Sequence, residues 1–317
     1  MVYPYRHHRW RNFRPHGHSF YRGRDRARDQ NYLREKEEPQ FVCKSTDIFD
    51  CAEEQVRSML QRRPEVHDLD TKASKLKRKF ERTREPLDGL IALIAQAPRA
   101  ALAQLQMDEH PHGYHDKQAR LFELIDFNDT FDLVIMALSD DDRARFDVKI
   151  RDAMERTCRR VGAPFFTDEQ WDAIVRGLSR EIAVYLAAKN SGFYTIMASR
   201  SQDALGIDLQ VMDPESHRYI NLDIKSPSAF RHRLEQLVKE DRLTDRELLL
   251  ADQRGYALEK NGHGQGKVPV MLFNTLADTY GDINDFRFAS EGAVRERLNQ
   301  LIRENGLNDG KFGIVSI

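Results

Sequence analysis

Apolar and polar positions alternate differently in three stretches of the chain. Residues 1–38 show neither a helical nor a strand period. From about Phe41 to Gly162 apolar residues recur at helical spacing, and beyond Gly162 short helical and strand patterns interleave. Ser139 followed by Asp140, Asp141 and Asp142 predicts a helix start, with a side-chain cap and acids at the positive end of the helix dipole. The run from Leu87 to Leu105 reads as buried helices joined at Pro98, because proline lacks the N–H that the ladder needs; Asp88, Gln96 and Arg99 argue against a membrane span.

After Gly162, Thr167 and Gln170 have the spacing of a capping box. Trp171, Ile174, Leu178, Ile182 and Tyr185 then follow at helical spacing, which predicts a helix to about Lys189. A short strand is expected over Phe193–Ala198, followed by two alternating runs, GIDLQV and YINLDIK. Ser226-Pro227 reads as an N-cap with proline at the first helical position, and VPVMLF at 268–273 as a buried strand. Ser290 is expected to cap a helix that Gly306 ends, and Phe312–Ile317 to form a last strand. The resulting order is α-β-β-β-α-β-α-β, an α/β class preceded by an all-helical region. This divides the chain into an arm at 1–38, a helical domain at 39–162 and a sheet-bearing domain at 163–317.

At 317 residues, 40% hydrophobic and 32% charged, the chain can bury a sizeable core. It has no run of 18 apolar residues, and its first 30 residues lack the apolar centre of a signal peptide. A soluble, cytoplasmic protein without a membrane partner is expected. Cys43, Cys51 and Cys158 form no CxxC pair, so reduced thiols are expected. The net charge of −1 conceals a basic N-terminus, where eight arginines face only Asp25 and Asp29 within residues 1–30. There Arg6, Arg9, Arg11 and Arg14 interleave with Tyr5, Trp10 and Phe13. A disordered arm of this kind can pair with phosphates and stack on unpaired bases, or be a terminus that contacts nothing specific. His110, His112 and His115 sit in a Pro/Gly-bearing stretch that reads as a solvated connection rather than a metal site. Gly262–Lys267 lacks the first glycine and the Ser/Thr of a phosphate loop, and reads as a flexible loop before a strand.

The two alternating runs hold the densest chemistry. Pro214, Glu215, Ser216 and His217 supply a turn, and a hairpin centred between Glu215 and Ser216 puts Asp208 directly across from Asp223. Alternation then places Asp208 and Gln210 on one face with Asn221, Asp223 and Lys225, while Ile207, Leu209, Val211, Ile220, Leu222 and Ile224 point the other way. Facing carboxylates repel, and hard oxygen donors of this kind suit Mg²⁺ or Mn²⁺. Lys225 can aim an ammonium at an anion bound beside such an ion. The bland alternative is an exposed face on which Asp and Lys pair in water. Glu181 falls at the border of the apolar face of its helix, where a carboxylate can reach over the sheet or point at solvent.

A helix with an acid, a strand with an Asp, a strand ending in D-x-K and then a helix resembles the PD-(D/E)XK nuclease superfamily. Here Glu181, Asp208 and Asp223-Ile224-Lys225 match those places in order, over roughly residues 165–317. Ile207 stands where the proline of the name-giving pattern would be. D-x-K alone is uninformative, since 70–72, 147–149 and 309–311 also carry it. Only Asp223 ends an alternating strand with a partner Asp in register. The resemblance implies a restriction-endonuclease-like mixed central sheet flanked by helices, with an αβββαβ core. It also implies a metal-dependent nuclease in which Asp208, Asp223, the Ile224 carbonyl and Glu181 bind Mg²⁺ or Mn²⁺ and Lys225 orients the attacking water. Nucleic acid, DNA favoured over RNA, would be the partner, met by Gln210 and the arm. A homodimer and a protein partner held through residues 41–160 are open. The alternative is a catalytically silent module of the same fold that binds nucleic acid or a protein.

Overall fold

The computed structural model describes Cys43 and residues 45–62, 66–109, 122–199, 202, 205–259, 268–308 and 312–313. The arm with Arg6, Arg9, Arg11 and Arg14, the three histidines, the glycine loop at 262–267 and most of the expected last strand lie outside the described residues.

Helices fill the first half: α1 (Ile48–Arg62), α2 (Val66–Thr83), α3 (Pro86–Glu109), α4 (Phe122–Ala137) and α5 (Asp140–Val161). Ser139 caps α5 as its sequence predicts, accepting from the Asp142 N–H, and Gly162 ends that helix in the left-handed conformation. Pro98 does not divide the Leu87–Leu105 run. Instead α3 continues through it, because most of its residues are buried and packing on neighbouring helices outweighs one missing hydrogen bond. Gly89 is where α4 comes closest. A Cβ there would lie 2.8 Å from Val134 Cγ2 and 2.9 Å from two ring carbons of Phe80, so only glycine admits both neighbours.

α6 (Asp168–Asn190) begins with the expected capping box, Thr167 and Gln170 bonding reciprocally. One side of it, with Trp171, Leu178, Ile182 and Leu186, packs into the helical core, and another, with Ala183, Val184, Ala187 and Ala188, packs on a sheet. Residues 43–317 accordingly form one compact unit, with no gap near residue 162.

The sheet holds β1 (Tyr194–Met197), β2 (Leu209–Met212), β3 (Arg218–Lys225), β4 (Tyr256–Glu259) and β5 (Val270–Asn274) in the order β1-β2-β3-β5-β4. β1, β2 and β3 form an antiparallel meander, and β5 lies parallel to β3. Between β3 and β5 run α7 (Pro227–Lys239), capped by Ser226, then α8 (Asp245–Arg254) and β4. The sequence reading missed α8 and β4. α8 has its own capping box at Thr244 and Glu247, and the acid at the end of β4, Glu259, is buried against Arg233 and Arg242. Short α9 (Ala277–Tyr280), the ribbon β6 (Ile283–Asn284) and β7 (Arg287–Phe288), and α10 (Glu291–Asn305) complete the fold. β8 (Leu307–Asn308) pairs with the start of β3. Ser290 precedes α10 without a side-chain cap bond, contrary to expectation. Helices cover both faces of the sheet: α6 and α10 cover one, with Leu209, Ile220, Met271 and Phe273, and α7 and α8 cover the other, with Leu272. Among the described residues no helix is long and apolar enough to cross a membrane.

Cys43 and Cys51 are joined in a disulfide, correcting the expectation of three reduced thiols; the start of α1 folds the eight-residue separation back on itself. Cys158 is free and buried, and burial pushes its thiol up to about 12. Thiol titration without reductant should therefore find nothing in the folded protein and one thiol after denaturation. Gly89→Ala should lower stability by about 1–3 kcal/mol through overpacking, measured by urea unfolding; an unchanged midpoint would mean that α4 is not held at that contact.

Candidate active site

Asp208 stands one residue before β2. Its own carbonyl accepts from Ala198, but its N–H donates to the carbonyl of Leu222, the residue that Leu209 pairs with, so Asp208 and Leu209 both stand against Leu222 in a β-bulge. The direct Asp208–Asp223 pairing expected of the hairpin is thereby corrected: the regular pairing runs from Leu209–Leu222 to Met212–Tyr219, and beyond it Asp208 meets β3 through its side chain. Asp208 Oδ2 accepts the Ile224 N–H at 2.6 Å. The N–H and C=O of one strand residue point to the same side, so the Ile224 carbonyl is turned toward Asp208 as well. Lys225 Nζ contacts Asp223 Oδ1, while the Lys225 carbonyl accepts from the Thr275 N–H and hydroxyl at the far edge of β3.

The bland alternative, an exposed face on which Asp and Lys pair in water, is corrected, because the polar face is covered. Gln210, expected to meet nucleic acid, is 3% exposed. It donates to Asn221 Oδ1 at 2.8 Å and accepts the Gly313 N–H at 2.9 Å, while Asn221 donates to the Pro269 carbonyl. With its oxygen and one N–H engaged inside the protein, Gln210 is turned into the fold and away from any base at the surface. Asp223, at 1% exposed, belongs to the same buried face and meets solvent only through Lys225, whose side chain is 28% exposed.

Four charges share this neighbourhood. Burial, then the nearby Glu181 and Asp223, raise the Asp208 pKa well above the ordinary carboxylate value, against the opposing pull of Lys225 and the Ile224 N–H. Burial opposes the Lys225 charge, but Asp208, Asp223 and Glu181 outweigh it, and the Lys225 pKa is raised. Glu181 thus lies where its helix-border position places it, facing the site.

The helical region also reaches the site. A cavity of about 470 Å³ is walled by Glu181 and Leu178 of α6, by Met197 to Ser199 after β1, by Ile207 and Asp208, and by one face of α4. That α4 face carries Ile125, Asn128, Asp129, Asp132, Leu133 and Met136, which share one side at helical spacing, whereas Phe127, Phe131 and Val134 point into the core. Lys77 lies 3.7 Å from Asp129. Asp132 Oδ1 is out of solvent with no hydrogen-bond partner, and so is Asn128 Oδ1. Burial, followed by Asp129 and Asp208, raises the Asp132 pKa well above the ordinary value. Sequence reading missed both residues; the available signal was a polar stripe at 128, 129 and 132 inside an otherwise apolar helix.

Among the described residues no three His, Cys, Asp or Glu side chains gather closely enough to hold a metal ion between them. The hairpin still offers two carboxylates and a carbonyl, all hard oxygens. Mg²⁺ commonly takes one or two carboxylates and keeps several waters, so the donor set fits that ion. Comparison with protein-family models, with curated proteins and with solved structures found no match.

Folding raises the Asp208 pKa, so the folded state holds that proton more tightly than the unfolded chain does. Without metal, stability should decline as pH climbs above the unfolded value near 3.9 toward the raised folded value. Asp208→Asn should flatten this decline in EDTA, measured by urea unfolding at mildly acidic and mildly alkaline pH. A steeper decline in the variant would mean that the carboxylate is not under strain.

Proposed function

We propose that this protein is a metal-dependent nuclease that hydrolyses phosphodiester bonds of DNA or RNA. The observation that carries the reading is the contact at the strand end: Asp208 Oδ2 accepts the N–H of Ile224, the residue between Asp223 and Lys225, and Lys225 lies within charge range of both acids. The order of elements supports it. α6 with Glu181, the antiparallel β1-β2-β3, a helical crossover and the parallel β5 follow the αβββαβ arrangement of a restriction-endonuclease-like fold.

In this reading Asp208, Asp223 and the Ile224 carbonyl hold Mg²⁺ or Mn²⁺, with Glu181 beside them. When bound, such an ion polarises the scissile phosphate and acidifies a water. Lys225, kept protonated by its three acidic neighbours, orients the attacking water and offsets the negative charge that grows on the phosphate oxygens. The α4 wall restricts access. A cavity of about 470 Å³ is of small-ligand size, which suits one unpaired nucleotide rather than a duplex. The strand that is cut therefore enters single.

Labelled single- and double-stranded DNA and RNA, incubated with wild type and Lys225→Ala in Mg²⁺, Mn²⁺ and EDTA, test the proposal. Single strands should be cleaved only with metal, and Lys225→Ala should lose about 10²-fold or more in rate. Salt-dependent binding without cleavage by the folded wild type would instead select a silent nucleic-acid-binding module.

A further inference from the structure

The cavity beside Asp208 holds two buried acceptor atoms without a hydrogen-bond partner among the described residues. Asn128 Oδ1 and Asp132 Oδ1 are both buried, both without hydrogen-bond partners, and both on the face of α4 that walls the cavity. They stand one helical turn apart, so their side chains are neighbours. A buried acceptor left unpaired costs free energy, and such groups in native structures are completed by water, an ion or a ligand. The rest of the wall mixes apolar side chains such as Leu124, Met136 and Met197 with the acids Glu81, Asp129 and Glu181. Apolar surface beside several convergent acceptors describes a pocket for a planar ligand that donates hydrogen bonds.

We propose that this cavity receives the unpaired base next to the scissile phosphate, and that Asn128 and Asp132 select guanine. The inference rests on the nuclease reading, which puts a phosphodiester at Asp208 on the same cavity wall. The chemistry narrows the base. Both acceptors demand donors, and among the common bases guanine presents donors at adjacent ring positions, its ring N–H and its exocyclic amine. The Asp132 carboxylate accepts from that pair, and Asn128 Oδ1 takes the remaining amine hydrogen. Uracil and thymine offer a single ring N–H flanked by carbonyls, which would face the same acceptors lone pair to lone pair. Extruding a base from its neighbours into such a pocket is the usual way a protein reads an unpaired nucleotide.

Calorimetric titration of the full-length protein with guanosine, inosine and uridine 5′-monophosphates in Mg²⁺ provides the test. Inosine lacks only the exocyclic amine. Wild type should bind the guanosine nucleotide about tenfold or more tightly than the inosine one, the value of a good base contact, and the uridine one most weakly. Asp132→Asn and Asn128→Ala should each erode that preference while the metal-induced shift in melting temperature stays as in wild type. Equal binding of guanosine and inosine nucleotides, or no binding of any of the three, overturns the proposal, and the wild-type comparison decides even where a variant does not fold. Guanosine preference without strand cleavage would leave the pocket standing and remove the nuclease reading.

Discussion

The structure depends on α6 being packed on two sides. Trp171, Leu178 and Ile182 belong to the helical core, while Ala183, Val184 and Ala187, on the next turns, lie against the sheet. Small residues on the sheet side allow close approach, and larger ones on the other side fill the space between bundle helices. Because one rigid rod serves both cores, the helical region cannot move independently of the strands. Glu181 stands at the border between those two faces, which is why it meets Asp208, and α4 is carried against the strand end by the same packing. A region that the sequence suggests as a separate domain is thereby one wall of the site.

The electrostatics of that site follow from placing acids where water is scarce. Burial and the nearby Glu181 and Asp223 raise the cost of ionising Asp208, and Lys225 is the cation among them. Two carboxylates with a nearby lysine remain an unbalanced set, which a divalent ion would complete. The polar residues farther along the hairpin are a different matter. Gln210 and Asn221 satisfy each other, Pro269 and Gly313 through short hydrogen bonds, and they specify how strand and covering chain fit together. Polarity along one hairpin thus differs in kind, a set of coupled charges at the strand end and a paired amide network beyond it.

Much of this was legible in residue order. Period-two alternation on both sides of Pro214–His217 sets the β2–β3 pairing as far as Leu209 and Leu222, and caps at Ser139, Thr167 and Ser226 mark three helices; the bulge at Asp208 has no such signal. These are local signals, readable within one element. What was not legible depends on partners far away in the chain. Burial of Gln210 depends on a turn near Gly313, the continuation of α3 through Pro98 depends on its neighbours, and the contribution of Asp132 depends on how a helix well upstream of the hairpin docks. No periodicity within α4 names the strand it will face.

The parallel pairing of β3 with β5 bears on the order in which the molecule can assemble. A hairpin closes over a few residues, whereas β5 reaches β3 only after α7, α8 and β4 have been traversed, and non-local pairing of this kind is slow. The hairpin can therefore close early, while the far edge of Asp223's strand is completed late. During synthesis the chain passes through a stage in which that edge is open, so the bonds from Thr275 that fix the Lys225 carbonyl belong to the finished molecule alone.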